Sequence, residues 1–200
     1  MRKQRDGEGT KRAVLAAAQE LFTAQGFAGT SLTDISRLCG ISEGLILHHF
    51  NSKVSLYHQV LEGLAEQYTR VLVKARETAT TPHEMMAQTL EASFNFWRQD
   101  ASYERISLWA YLEGHAEFNH KEAQLTAGLA QAVEQLQDQG LMNKQFSPVV
   151  LLTLIIGPIH YWLRYRELFR STLNLTESSE ELDRLFLGQL VQMITGISQP

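Results

Sequence analysis

Apolar residues recur along the chain at the three- and four-residue spacing of amphipathic helices. Val14, Ala18, Leu21 and Phe22 stand at i, i+4, i+7 and i+8, which predicts a helix over about residues 10–25. We find no alternating apolar and polar runs joined by hairpin dipeptides, and no repeat of fixed period. The pattern therefore predicts an all-α protein of about nine helices.

Two short helices are predicted next, separated by a glycine. Ser31 and Asp34 have capping-box spacing, so a helix should begin at Ser31 and end at Gly40 after about two turns. Ser42 is a good N-cap for the following short helix, which should end near Asn51. This order is typical of a helix-turn-helix that reads DNA, but a helical hairpin without any DNA role has the same pattern.

The turn also fits a hydrolase motif, because Gly40 to Gly44 reads G-x-S-x-G. A nucleophile elbow needs a β-strand before the serine and a parallel sheet beneath it. The residues before Gly40 are capped and spaced as a helix, and no later segment supplies such a sheet. We therefore interpret Ser42 as a helix cap, keep a serine hydrolase as the disfavoured alternative, and expect no enzyme activity.

Six further helices are predicted from apolar spacing, proline and capping residues. They cover about Lys53–Ala79, Pro82–Arg98, Tyr103–Leu112, Glu117–Gln139, Pro148–Arg170 and the segment after Ser178. The eighth is apolar over most of its first half and should kink near Leu154 to Gly157, because Pro158 lacks an N–H. The ninth has an apolar stripe formed by Leu182, Phe186, Leu190, Met193 and Ile197.

Composition indicates a folded protein with a substantial core: 44% of its 200 residues are hydrophobic and 20% are charged. One cysteine excludes an internal disulfide, and the apolar runs are shorter than a membrane span, so we expect a soluble cytoplasmic protein. The net charge of −4 is uneven, with +2 on residues 1–56 and −6 on residues 57–200. Five Lys or Arg among the first twelve residues indicate either an arm near phosphates or a solvated terminus.

Residues 10–57 resemble the DNA-binding domain of the tetracycline-repressor (TetR) family. The matching positions are Ala18, Leu21, Phe22, Gly26, Phe27, Thr30, Ser31, Asp34, Ile35, Gly40, Ile41, Ser42, Gly44, Phe50, Ser52, Lys53 and Leu56. The resemblance implies a DNA-binding domain over residues 9–68, with the helix-turn-helix at residues 31–50. It also implies an effector-binding and dimerisation domain over residues 69–200.

The resemblance also assigns the DNA contacts. Bases or the nearby backbone would be met by Ser42, Glu43, Gly44, Leu45, Leu47 and His48, and phosphates by Thr30, Ser31, Thr33 and Lys53. Hydroxyl groups and helix N-termini suit phosphate oxygens. One position departs from the family: Leu47 stands where a tyrosine is common, so this residue can touch a thymine methyl group but cannot donate a hydrogen bond.

The segment after residue 69 shows no catalytic constellation and no phosphate-binding loop, so no cofactor is predicted. His48 and His49 are adjacent rather than at i, i+4, which argues against a metal site. The mixture of aromatic and sparse polar residues is compatible with a small-molecule pocket and equally with an ordinary core. Our candidate effector contacts are Trp97, Tyr103, Trp109, Glu113, His160 and Trp162.

The resemblance finally implies a homodimeric repressor that binds a palindromic double-stranded DNA operator and responds to a small-molecule effector. The last two helices of each subunit would form the dimer interface; an intramolecular core is the alternative use of their apolar faces. The competing interpretation of the whole chain is a helical adaptor that binds only other proteins.

Overall fold

The computed structural model describes residues 2–114, 120–140 and 142–197, with side chains described for residues 7–114, 123–140 and 142–194. All regular structure in these ranges is helical, which confirms the predicted fold class and the count of nine. The helices are α1 (Arg2–Gln25), α2 (Leu32–Cys39), α3 (Glu43–Phe50), α4 (Lys53–Arg76), α5 (Pro82–Gln99), α6 (Ser102–Leu112), α7 (His120–Asp138), α8 (Pro148–Thr172) and α9 (Ser179–Ile197).

Most helix boundaries lie within a few residues of the prediction, with two clear differences. α1 begins at Arg2, eight residues before the predicted start, because the polar segment ahead of Thr10 continues the same helix. α4 ends at Arg76, three residues earlier than expected. α8 continues through Pro158 as one assigned helix, and the kink expected there stays a prediction. Residues 117–119, placed in the seventh helix by the sequence, lie outside the described residues.

The chain divides into two compact units. The first unit comprises Met1–Gln67 and Asp100–Ala123, and the second comprises Tyr68–Gln99 and Gln124–Pro200. The predicted boundary after residue 68 is close to the first division. The difference is α6, which the sequence assigned to the second domain and which packs in the first unit.

The contacts of α6 explain its place in the first unit. Arg105 Nε donates to the carbonyl oxygen of Thr23 at 3.1 Å. The Tyr57 hydroxyl lies 3.4 Å from the carbonyl oxygen of Ile106, which is fully buried. Because both partners belong to α1 or α4, α6 completes the core that these helices form.

The first unit is built around buried apolar residues of five helices. Its fully or almost fully buried side chains include Val14, Ala18, Phe22, Ile35, Ile46, Phe50, Leu56, Tyr57, Ile106 and Ala110. The rings of Phe22 and Phe27 both pack against Tyr57, with centroid distances of 4.9 and 5.1 Å. Aromatic contacts of this kind fix the end of α1 against α4 and thereby support the two short helices.

Local capping sets the two short helices, α2 and α3. The Ser31 hydroxyl accepts the Asp34 N–H at 3.1 Å, and the Asp34 carboxylate accepts hydrogen bonds from the hydroxyl and N–H of Ser31. These hydrogen bonds, assisted by Arg37, hold the pKa of Asp34 below its usual value. Gly40 adopts φ +70°, and its N–H donates to the carbonyl of Ser36 at 2.9 Å, so α2 ends in a left-handed turn.

Two oppositely charged side chains hold the loop between α1 and α2. Glu113, at the end of α6, accepts the N–H groups of Phe27 and Ala28 at 3.1 Å each. Lys53, the first residue of α4, donates to the carbonyl oxygens of Phe27 and Thr30 at 2.9 Å each. Its ammonium group also lies 4.1 Å from the centre of the Phe27 ring. We call residues 26–30 the clamped loop.

The second unit contains a buried ionic network. Asp183 of α9 is almost fully buried, and its carboxylate accepts the Trp162 Nε1–H at 2.8 Å. The other oxygen pairs with Arg166 and lies 3.8 Å from Arg98 Nη1. Trp162 also stacks on Phe186 with a centroid distance of 4.7 Å. The network therefore links α5, α8 and α9, and satisfies a carboxylate that would be costly to bury alone.

Gly26 provides a test of the clamped loop. Its φ is +74°, and a Cβ there would lie 2.4 Å from Glu113 Oε1 and 3.0 Å from the Trp109 ring. We expect Gly26→Ala to lose about 1–2 kcal/mol through the left-handed backbone. It should lose at least about 1 kcal/mol more because Glu113 must move away from its two N–H partners.

Gly40→Ala is the matched control, because Gly40 has φ +70° and open space around the added Cβ. Urea denaturation should therefore show a larger loss for Gly26→Ala than for Gly40→Ala. Equal losses would mean that the backbone conformation alone accounts for both and that Glu113 contributes nothing measurable.

Candidate functional site

The exposed side of α3 is the surface that the helix-turn-helix prediction requires. Ile46 and Phe50 point into the core of the first unit and are buried. The opposite side of the helix presents Glu43, Gly44, Leu45, Leu47 and His48, all exposed. A helix held by two buried residues and bare on its other face has the form of one that enters a groove.

Ser42 is the N-cap of α3, as predicted. Its hydroxyl accepts the N–H of Leu45, and its backbone is extended with ψ 146°. The element before it is α2, a helix, whereas a nucleophile elbow requires a strand. The hydrolase alternative therefore has no support from the fold around this serine.

Thr33 and Glu43 join α2 to α3. The Thr33 hydroxyl donates to Glu43 Oε1 at 2.8 Å, and both residues are at or near the surface. Ser31 is exposed at the start of α2, where its hydroxyl accepts the Asp34 N–H. These hydroxyls and helix N-termini lie on the same short segment as the exposed side of α3.

Thr30 and Lys53, which the sequence assigned to phosphates, have other partners in the structure. Thr30 is buried, and its hydroxyl donates to the carbonyl oxygen of Gly26 at 2.8 Å. The Lys53 ammonium group is bound by the clamped loop, and partial burial lowers its pKa while the charge of Glu113 raises it. Both side chains make their hydrogen bonds within the first unit, and we do not include them in the proposed DNA interface.

Two other sequence predictions concern metal binding and the basic arm at the N-terminus. No group of three or more His, Cys, Asp or Glu able to hold a metal ion occurs among the described residues. His48 and His49 contact each other edge to face at 5.4 Å. The predicted basic arm depends largely on Arg2, Lys3 and Arg5, whose side chains lie outside the described residues.

The second unit contains a cavity of about 240 Å³. Its wall is formed by residues of α4, α5, α7 and α8 and by Met142. Most lining residues are apolar, among them Leu72, Met85, Met86, Leu90, Leu136 and Ile155. The polar lining groups include Tyr68, Ser93 and Arg76. A largely apolar wall with few polar groups is typical of a small-molecule site.

The six predicted effector contacts lie elsewhere. Tyr103, Trp109 and Glu113 belong to α6 or its end, in the first unit, where Glu113 binds the clamped loop. Trp162 belongs to the Asp183 network, and His160 packs on Trp97 at 4.5 Å. None of the six lines the cavity, so we base the proposed effector site on the cavity and not on these residues.

The chain matches two family descriptions that together cover most of its length. Residues 14–60 match "Bacterial regulatory proteins, tetR family", and residues 86–192 match "Tetracyclin repressor-like, C-terminal domain". The chain belongs to the TetR family. It is therefore a DNA-binding transcriptional regulator, and its relatives are regulators rather than enzymes.

Individual TetR-family relatives agree with this assignment. The transcriptional regulator TtgR of Pseudomonas putida is 28% identical over 179 residues, which cover 81% of this chain and 84% of TtgR. A regulator from Streptomyces coelicolor has the same fold, with a TM-score of 0.71, 23% identity and coverage of 92% and 97%. AibR, solved with isovaleryl coenzyme A and operator DNA, has a TM-score of 0.67, 19% identity and coverage of 92% and 96%.

Gly44 allows folding and DNA binding to be separated in this TetR-family protein. A Cβ at Gly44 would meet nothing within 4 Å, so Gly44→Ala should keep or raise the stability of α3, by up to about 1 kcal/mol. The same methyl group would project from the exposed side of α3, which the resemblance places against DNA. We expect operator affinity in a gel-shift assay to fall at least about tenfold, equivalent to about 1.4 kcal/mol.

Gly128→Ala is the control, because Gly128 lies in α7 with open space around its added Cβ. This variant should keep full operator affinity with a similar change in stability. If Gly44→Ala binds the operator as tightly as the unmodified protein, the exposed side of α3 does not approach DNA closely at that residue.

Proposed function

We propose that this protein is a ligand-responsive repressor that acts as a homodimer on a palindromic operator in the cytoplasm. The observation that carries the proposal is the exposed side of α3, held on the core by Ile46 and Phe50 and capped at Ser42. Binding of the effector would favour one of two conformations of the protein, and the shift depends on its different affinity for the two.

The proposed DNA interface consists of the exposed residues around α3. Gly44, Leu45, Leu47 and His48 would face base edges or the adjacent backbone, while Ser31, Thr33 and the N-terminal ends of α2 and α3 would meet phosphates. Glu43 keeps Thr33 in place and has a second carboxylate oxygen for a cytosine amino group. Leu47 offers an apolar contact for a thymine methyl group, so we expect specificity to differ from relatives with tyrosine there.

The solved relative AibR supports the pairing of the two functions in one fold, since it is bound to both an acyl coenzyme A and operator DNA. In the chain described here, α4 carries residues of both units. Lys53 at its start holds the clamped loop, and Tyr68, Leu72 and Arg76 near its end line the cavity. We propose that α4 transmits the effect of a bound ligand to the DNA-binding helices.

The proposed dimer surface lies on α8 and α9, which pack against each other. Leu154, Tyr161 and Leu168 of α8 are spaced by seven residues and therefore share one face, and their exposed fractions are 41%, 58% and 56%. On α9, Leu185 and Met193 are also exposed. Apolar patches of this kind mark interaction surfaces, and a two-fold dimer matches a two-fold operator.

α8 is also the helix, within the described part of the chain, that is long and apolar enough to cross a membrane, and only 17% of its apolar window is buried. We propose that a second copy of the chain covers this face in place of lipid. α8 carries Arg164, Arg166 and Arg170 in its second half, which suits a protein interface better than a bilayer core.

The dimer surface is tested by Leu154→Glu combined with Leu168→Glu. Burying two carboxylates in an apolar interface is costly, so sedimentation velocity should show a monomer where the unmodified protein is a dimer. Operator affinity should fall at least about 100-fold, because each monomer contacts only one half-site. Val73→Glu is the control: Val73 is equally exposed but lies on α4, and its variant should stay dimeric. A dimer that survives the double substitution would place the interface elsewhere.

Selection of bound sequences from a random double-stranded DNA pool tests the proposed function as a whole. We expect a palindrome whose half-sites are about 10 base pairs apart or a multiple of that distance. Affinity for it should fall steeply with salt concentration. Failure to enrich any sequence would favour the adaptor interpretation, in which the same helices bind protein only.

A further inference from the structure

The cavity in the second unit has one charged group on its wall. Among the described lining residues, Arg76 is the only one that carries a charge, and none is Asp or Glu. Met85, Met86, Leu90 and Leu152 are part of the apolar remainder. Such a wall favours an apolar molecule with one anionic group, since a cation would meet Arg76 without a counter-charge.

Arg76 is also incompletely satisfied. Its Nε is buried, and no hydrogen-bond partner for it occurs among the described residues. A guanidinium group stays protonated in proteins, so it cannot avoid the cost of burial by losing its proton. An unsatisfied buried donor is unfavourable, and a carboxylate accepts two parallel N–H groups of the guanidinium fork. A carboxylate bound at Arg76 would therefore supply the acceptor that its Nε–H lacks among the described residues.

The opposite end of the same wall is polar but neutral. Tyr68, Leu72 and Arg76 stand at i, i+4 and i+8 on α4 and share one face, so the two ends are about 12 Å apart along the helix. The Tyr68 hydroxyl is hydrogen-bonded to Ser93 Oγ. Burial raises the pKa of Tyr68, which keeps this phenol uncharged. The wall thus runs from a positive end, past Leu72, to a neutral pair of hydroxyls.

The size of the cavity limits the ligand. Its volume of about 240 Å³ is below the range of about 300–1,000 Å³ that is usual for drug-sized molecules. A single extended chain suits a cavity of this volume and the length of the wall.

We propose that the cavity binds a medium-chain aliphatic carboxylate, with its carboxylate group on Arg76 and its chain along Leu72 towards Tyr68 and Ser93. This inference specifies the effector of the ligand-responsive regulator and in that sense rests on the proposed function. The binding itself needs no DNA, so the two can be tested separately.

Titration calorimetry on the full chain with decanoate, decanol and decylamine tests the role of charge, because the three share one chain length. We expect decanoate to bind at least about tenfold more tightly than decanol, and decylamine not to bind, because only the carboxylate pairs with the guanidinium group. Arg76→Gln should abolish the preference for decanoate over decanol.

Lys74→Gln is the matched control, since Lys74 is exposed in the same last turn of α4 and does not line the cavity. It removes the same charge and should keep the preference for decanoate. The melting temperature without ligand gives a second readout: Arg76→Gln should leave it unchanged or raise it, because an unsatisfied buried donor is removed. A purely structural role of Arg76 would lower it.

Two outcomes would overturn the inference. One is equal affinity for decanoate and decanol in the unmodified protein, and the other is an unchanged preference in Arg76→Gln. If decanoate binds as described but does not alter affinity for the selected operator, the cavity assignment stands and the ligand-responsive part of the proposed function fails. If the operator is found and no carboxylate binds, the proposed function as a DNA-binding regulator stands and the proposed class of effector is wrong.

Discussion

The DNA-binding unit depends on how the clamped loop satisfies its backbone. Residues 26–30 connect α1 to α2, and their N–H and C=O groups cannot all be paired within a helix. Glu113 accepts two of the N–H groups and Lys53 donates to two of the carbonyl groups. The two side chains come from α6 and α4, far away in sequence. The direction in which α2 leaves α1 is therefore determined by charges outside the helix-turn-helix itself.

The same arrangement gives Lys53 a structural role within the first unit. A lysine at the start of a helix is unfavourable for the helix dipole, and this one is in addition partly desolvated. Two carbonyl oxygens, the face of Phe27 and the charge of Glu113 compensate for both costs. The resemblance places Lys53 beside phosphates, whereas its contacts with the clamped loop give a structural explanation for its presence.

Much of the fold was predictable, because it follows from local rules. Caps at Ser31 and Ser42, the left-handed turn at Gly40 and the apolar spacing of α1 act within one or two helical turns, and each was placed correctly. The outward residues of α3 were assigned by the resemblance to the family, and the structure shows them exposed. The contacts of Thr30 and Lys53 did not follow from these rules, because they depend on the path of the clamped loop, whose carbonyl groups accept from both side chains.

The cavity was missed for a related reason. The aromatic residues are compatible with a pocket and equally with a core, and Trp97, His160 and Trp162 pack against neighbouring side chains. The pocket is lined instead by methionine, leucine and isoleucine from four helices, which sequence cannot distinguish from core. One signal was available. The apolar stripe of Leu64, Tyr68 and Leu72 on α4 continues at the same spacing to Arg76, so a positive charge stands in line with buried positions.

The exposed side of α3 has a consequence for how the DNA specificity of this regulator can change. Ile46 and Phe50 hold this helix on the core. Its outward positions are Gly44, Leu45, Leu47 and His48. Substitutions at the four outward sites should therefore change the free energy of folding very little, so the surface proposed to contact DNA can change while the fold is kept.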